Sequence, residues 1–264
     1  MERQLLLAST LCFLVAVAHT LATLREGVFR PRRFNFIAIA VGFVLQSAFL
    51  AVRGHALGRC PITNLFEVFI FLAWSVALIY LLVGPAYRLS LMGAFTAPLV
   101  LFIQAFALLA PIDIPPHLSR LPANPWLEFH ASMSMIAYGA FALSCVAGVM
   151  YLVQERQLKT HNLHSIFYHL PPLTNLFAAI TRLLWLGFAL YTAGLISGFF
   201  TGGPLPRLKM VCAFAVWIFY GIILQGRYLQ RLAPKRIAAL CILAFTAAVS
   251  VLWAINFVSE TRPT

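Results

Sequence analysis

The sequence predicts an all-α fold: a polytopic membrane helix bundle of about eight transmembrane helices, with both termini outside. Two observations set the class and a third sets the orientation. Hydrophobic residues make up 62% of the 264-residue chain and charged ones only 10%, against about 25% charged in ordinary soluble domains. Such a chain cannot hide its apolar surface from water. Apolar runs of about 20 residues, long enough to cross the hydrocarbon of a bilayer, recur along nearly its whole length. The basic residues then orient it. If the first helix runs from outside to inside, the inner segments hold Arg25, Arg30, Arg32, Arg33, Arg88, Arg156, Lys159, Arg182, Arg227, Arg231, Lys235 and Arg236, twelve of the 19 Lys and Arg residues. The positive-inside rule favours that topology. The formal charge of +12 is therefore read as a topology signal and an attraction to anionic lipid of the bilayer, with no nucleic acid as partner.

Apolar runs and polar breaks place the spans at about 4–24, 35–53, 65–84, 90–111, 127–153, 181–201, 208–226 and 236–257. The first could be a signal peptide. Its positive charge, however, lies mainly after the apolar core, at Arg25, Arg30, Arg32 and Arg33, so it reads as a retained helix. The third is entered through Cys60-Pro-Ile-Thr-Asn64-Leu-Phe-Glu67. Asn64 or Thr63 can cap its N-terminus, and Glu67 at the third helical position completes a capping-box-like arrangement. The fourth carries Pro98, expected to kink it, and is stopped by the proline-dense PIDIPPHLSRLPANP. That stiff outer segment delivers the chain into the fifth span at Trp126. The inward segment 154–176 comes next, with His161, His164 and His169; Phe167, Tyr168 and Leu170 suit an interfacial segment better than the histidines suit a metal site. In the sixth span, Gly194 and Gly198 lie four apart, the small-xxx-small spacing of close helix packing. No low-complexity tract, convincing repeat or linker divides the chain, which reads as one domain, 1–264.

His130 is the leading candidate for chemistry. An ionisable group at the mouth of a span is costly to keep and is a functional candidate by default. Trp126 stands one turn before it, and Ser134 and Tyr138 continue the same face. A flat aromatic beside a neutral imidazole suits a planar ligand with a metal at its centre. The imidazole is the commonest protein metal ligand, and its second nitrogen needs an acceptor to set the tautomer. A capping or interfacial histidine satisfied by water is the alternative. Asn64 and Glu67 would brace the rim, where the Glu67 carboxylate could orient a histidine or meet a cation. His19, within the first span toward its inner end, is either a ligand or an interhelical hydrogen-bonding group. The five cysteines form no CxxC pair and read as buried small hydrophobes. No GxSxG elbow, phosphate loop or HExxH helix is present, and acidic residues number seven in all; the chain is not expected to be an enzyme.

Four segments, in order, resemble the cytochrome c assembly membrane family, which includes CcsA, CcmC and CcmF types, and especially its HemX-like branch. CPITNLFEVFIFLAW, Cys60 to Trp74, looks like the family's PxxNLxE segment. WLEFHASMSMIAYGAF, Trp126 to Phe141, is similar to the segment bearing an external heme-ligand histidine, which maps onto His130. LGFALYTAGLISG, Leu186 to Gly198, looks like the helix before the tryptophan-rich heme loop, and VWIFYGIILQGRYLQRLAPKRIAAL, Val216 to Leu240, resembles the helix and basic loop after it. The resemblance covers the chain from about residue 35 onward. It departs at three places. Phe199-Phe-Thr-Gly-Gly-Pro-Leu-Pro-Arg207 stands where CcsA-type proteins carry WGxxWxWD, Gln225 or Gly226 stands where they carry an inner histidine, and no histidine comes after the last span.

The resemblance implies heme binding or heme handling in cytochrome c biogenesis, in the bacterial inner membrane. His130 would be the ligand to heme iron, Trp126 and Tyr138 would shape the pocket, and Trp185 and Trp217 would supply walls. Arg182 and Arg207 would be propionate partners, and His55 or His117 the outer candidates for a second ligand. Other cytochrome c assembly membrane proteins and apocytochrome c are the implied partners. Two further readings stand beside it: a HemX-like non-enzymatic regulator or accessory protein of heme biosynthesis, and a small-molecule transporter, for which inverted repeats or broken helices would be expected.

Overall fold

The computed structural model describes residues 2–25, 32–84, 92–109, 124–160, 172–202 and 207–261. They form eight α-helices: α1 (Glu2–Arg25), α2 (Arg32–Leu57), α3 (Leu65–Val83), α4 (Met92–Ala107), α5 (Pro125–Thr160), α6 (Leu173–Gly198), α7 (Arg207–Tyr228) and α8 (Pro234–Thr261). A 3-10 turn, Phe199–Thr201, extends α6. There is no strand among the described residues. Seven helices are long and apolar enough to cross a membrane, and α4 is a shorter apolar helix of 16 residues. Sixteen residues rise about 24 Å, short of a hydrocarbon core of about 30 Å. Residues 90, 91, 110 and 111 of the expected fourth span lie outside the described residues. Pro98 sits within α4, which is helical from Met92 to Ala107.

Two boundaries depart from the apolar pattern. Helix α5 continues to Thr160 and α6 begins at Leu173, so both ends of the expected inward segment are helix. Hydropathy marks where the bilayer ends, whereas the backbone can continue through polar helix formers. Lys159 donates to Glu155 at 2.6 Å, an i,i+4 pair on that extension. The interfacial residues Phe167, Tyr168 and Leu170, with His161, His164 and His169, lie outside the described residues. At the other end, Arg53 to Leu57 belong to α2, leaving a shorter connection to α3.

Side-chain contacts fix the alternation of the helices. Arg53 near the end of α2 reaches Glu2 at the start of α1 and Glu67 at the start of α3. His130 near the start of α5 meets Gly194 near the end of α6. Consecutive helices therefore run up and down, and their even number brings α1's start and α8's end to one side, as expected of a chain with both termini on the same face. The buried centre is α3 and α5, while α7 buries only Tyr220, Ile223 and Leu224. Gly139 lets α5 approach the α3 backbone: a Cβ there would stand 2.7 Å from the Ser75 carbonyl carbon. Phe141 of α5 stacks on Tyr220 of α7, with centroids 3.6 Å apart.

The apolar interior also holds amide contacts that apolar periodicity does not reveal. Gln46 Nε2 on α2 donates to Gln104 Oε1 on α4 at 2.7 Å, and Gln104 Nε2 donates to Thr10 Oγ1 and the Leu6 carbonyl on α1. With no water in the hydrocarbon to compete, these bonds tie three helices in register.

Candidate functional site

The site is assembled where α5 begins and α6 ends. Asn124 caps α5, its Oδ1 accepting from the Trp126 and Leu127 backbone N–H groups at 3.0 and 3.4 Å. Its Nδ2 donates to the Thr201 carbonyl at 2.8 Å, joining the two helix ends. One turn on, half-buried His130 donates from Nδ1 to the Gly194 carbonyl at 2.6 Å. A carbonyl can only accept, so this contact puts the proton on Nδ1 and leaves Nε2 as the lone-pair nitrogen of the neutral ring. The acceptor belongs to the last turn of α6, where the helix dipole is negative, which strengthens Nε2 as a donor.

Two glycines make room for this contact. A Cβ on Gly198 would lie 3.0 Å from His130 Nδ1, and one on Gly194 would lie 2.7 Å from Ser134 Oγ. The small-xxx-small pair is therefore a packing feature that also seats the imidazole.

A cavity of about 230 Å³ opens beside His130, between α5, the end of α6 and the start of α7. Leu127, Leu195, Phe199, Met210 and Phe214 give it apolar walls, and Lys209 contributes the one ammonium among its lining residues. Sites enclosing a whole small-molecule ligand usually measure about 300–1,000 Å³, so a larger planar ligand would be held by part of its surface. Heme fits this donor set: a tautomer-fixed imidazole, aromatic and aliphatic walls, and a cation. Among the described residues, no group of three or more His, Cys, Asp or Glu side chains could hold a bare metal ion.

The other residues expected at the site are dispersed over the bundle. Trp126 stays at the His130 end but is half exposed and packs on Phe200, with centroids 5.1 Å apart, outside the cavity lining. Tyr138 is buried two turns deeper, edge-on to Tyr191 and Phe141. His19 lies near the opposite end of the bundle, stacked on Phe34 at 4.3 Å. Trp217 donates from Nε1 to Thr192 Oγ1 and stacks on Phe188, and Trp185 is exposed; neither lines the cavity. Arg182 belongs to the half of α6 away from Gly194. His55 is exposed at the end of α2, and His117 lies outside the described residues.

Asn64 and Glu67 form a second centre, reached from the other face of α5. Asn64 Oδ1 accepts from the Glu67 N–H at 2.8 Å, making it the N-cap of α3. Fully buried Glu67 accepts from Arg53 Nε at 2.6 Å through one oxygen and from the Thr63 N–H and hydroxyl through the other. The cation expected to meet Glu67 is thus Arg53, which also bonds Glu2 at 3.1 Å. Cys60 Sγ approaches Ser132 Oγ at 3.6 Å. Burial pushes the Cys60 thiol up from its ordinary pKa; the Ser132 hydrogen bond opposes this, while the Glu128 and Glu67 carboxylates add to it. Glu128 and Ser132 therefore turn toward this loop, and His130 and Ser134 toward α6, as their spacing on one helix demands.

Sequence reasoning did not find Lys209, Met210, Phe199 or Phe214. Phe199 is legible only as the residue in place of a tryptophan-rich loop. Its position on the cavity wall, with its ring 6.3 Å from that of Phe214, retains aromatic character there without tryptophan.

Comparison with known proteins gives the same ordered set of segments a wider frame. The profile of the family described as "Cytochrome C assembly protein" matches residues 62–261, from the capped entry of α3 through α8. The chain is 25% identical to the "Cytochrome c biogenesis protein CcsA" of Porphyra purpurea over 272 residues, covering 85% of this chain and 82% of that protein. It is 26% identical to "Protein HemX" of Brevibacillus brevis over 244 residues, covering 89% and 87%. A shorter stretch of 124 residues is 32% identical to the CcsA protein of Crocosphaera subtropica, covering 45% of this chain and 36% of that one. Since the matched region takes in both the Glu67 cap and the His130 cavity, and six of the eight helices, the chain belongs to the cytochrome c assembly protein family.

Proposed function

We propose that this protein is a non-enzymatic heme-handling membrane protein of cytochrome c biogenesis, acting in a bacterial cytoplasmic membrane with other assembly membrane proteins and apocytochrome c. The observation that carries the proposal is the His130 Nδ1–Gly194 carbonyl bond of 2.6 Å beside an apolar cavity. It sets the tautomer whose Nε2 lone pair could hold heme iron, and it holds the ring by a carbonyl acceptor, as metal-ligating histidines are usually held. Bound heme would supply the iron and the cargo for attachment to apocytochrome thiols. The chain's own residues would hold and shield it: His130 by ligation, Phe199 and Phe214 by apolar contact, and Leu127 and Leu195 by excluding water.

A second reading is favoured by a specific observation. The cavity contains no second histidine among its described lining residues, the Phe199–Thr201 turn replaces the tryptophan-rich loop of CcsA-type proteins, and the HemX relative matches over 89% of the chain. In that reading the protein is a HemX-like accessory or regulator that contacts heme transiently or not at all.

The absorption spectrum of detergent-purified protein, with and without added hemin, separates the two. Wild type is expected to show a Soret band or a hemin-induced one, and His130→Ala to lose or shift it. Wild-type heme with the same spectrum and occupancy in His130→Ala would remove His130 as ligand. A wild type that neither carries nor responds to hemin supports the regulator reading.

A further inference from the structure

Lys209 is the third residue of α7 and lines the same cavity as His130. Among the described residues, no ion pair or hydrogen bond engages its ammonium. The acids with described side chains at this end of the bundle are engaged elsewhere: Glu2 and Glu67 bind Arg53, and Glu128 acts on Cys60. The Lys209 side chain is exposed at this end of the bundle, so its charge is open to an anionic group of whatever occupies the cavity. The start of α7 reinforces the same polarity, because the positive end of the helix dipole favours an anion there.

We infer that Lys209 is the counter-charge for a carboxylate of the ligand whose metal His130 binds. The cavity would then select apolar metallo-tetrapyrroles with free carboxylates over their esters. The inference rests on the heme-handling reading above and adds a specificity that His130 alone does not confer, since an imidazole ligates the iron of a hemin ester equally well. It also assigns α7 a role. This least buried helix rests mainly on α6 and α8, and a ligand held by His130 of α5 and Lys209 of α7 would bridge the two across the cavity. Arg207, two residues earlier, is at the same end but is not among the lining residues.

The test titrates the purified full-length protein with hemin and with hemin dimethyl ester, in wild type, Lys209→Gln, Lys209→Arg and His130→Ala. Lys209→Gln is expected to weaken hemin binding by about tenfold, the worth of one charge-assisted hydrogen bond. It should leave the ester's affinity and the Soret position unchanged, and Lys209→Arg should restore most of the hemin affinity. Equal hemin affinity in wild type and Lys209→Gln overturns the inference while leaving His130 as ligand. A Soret shift in Lys209→Gln with no rescue by Lys209→Arg overturns it too, by making Lys209 an axial ligand. A wild type without any response to hemin overturns the heme reading itself, and this inference with it.

Discussion

At the scale of single residues, the site depends on a contact between an imidazole and a backbone. His130 can be singled out from the sequence because an ionisable group at the start of a long apolar span is expensive and so calls for a reason. Its hydrogen-bond acceptor cannot, because the Gly194 carbonyl is 64 residues away and every residue has a carbonyl. The two glycines are legible as a packing pair, but that Gly198 faces the imidazole and Gly194 the Ser134 hydroxyl is known only from the fold. Gly198→Ala should therefore act on His130. Its Cβ would stand 3.0 Å from Nδ1, forcing the ring to shift and weakening its hold on Gly194. We expect about a tenfold loss of heme affinity, the scale of damage to a metal ligand's supporting contacts, with helix content by circular dichroism unchanged. Wild-type affinity and spectrum in Gly198→Ala would dissociate the glycine from the position of the ring.

At the scale of elements, the entry to α3 reads as a capping box, and the structure shows the side chains in that arrangement, with Asn64 as cap and Glu67 three residues on. Capping is local chemistry, so the sequence spells it out. Arg53 belongs to another helix, and nothing in the spacing of charges pairs it with Glu67 in preference to lipid headgroups. Because Glu67 is fully buried and Arg53 nearly so, breaking the pair should cost more than losing a surface bridge. Glu67→Gln is expected to destabilise the protein by about 3 kcal/mol, and Asn64→Ala by about 1 kcal/mol, read as earlier denaturation in mixed detergent and SDS. Equal effects from both would mean that the ion pair adds nothing beyond the cap. The ends of α5 and α6 show the opposite limit: apolar runs locate the membrane, but the helices continue beyond it where polar helix formers allow.

At the scale of the whole molecule, alternating helices put α1's start, the Cys60 loop and His130 at one end. The basic residues Arg25, Arg33, Arg156, Lys159, Arg227, Arg231, Lys235 and Arg236 gather toward the other, which the positive-inside rule predicts to be the inner side. Cys60 tests that orientation, since the other four cysteines, Cys12, Cys145, Cys212 and Cys241, lie within helices. A membrane-impermeant maleimide is expected to label Cys60 from outside intact spheroplasts, and Cys60→Ser should abolish the labelling. Because burial raises this thiol's pKa, less of it is thiolate at about pH 8 than for a free cysteine, so labelling should be slow there and accelerate as pH rises. Labelling only after the membrane is opened would invert the topology.

The sequence by itself determined the class of this protein, its eight apolar segments, the cap of α3 and the prominence of His130. Each of these comes from composition, periodicity or spacing within one stretch of chain, where the physics is local. Only the tertiary structure decided which side chains share a cavity. Trp126, Tyr138 and His130 are aligned along one helix, yet the fold places them on the surface, in the core and at the cavity. Lys209 and Phe199, remote in sequence from His130, stand with it because α6 and α7 return to its end of the bundle. A helix face says which residues can meet a neighbour, but the choice of neighbour belongs to the packing of the whole bundle.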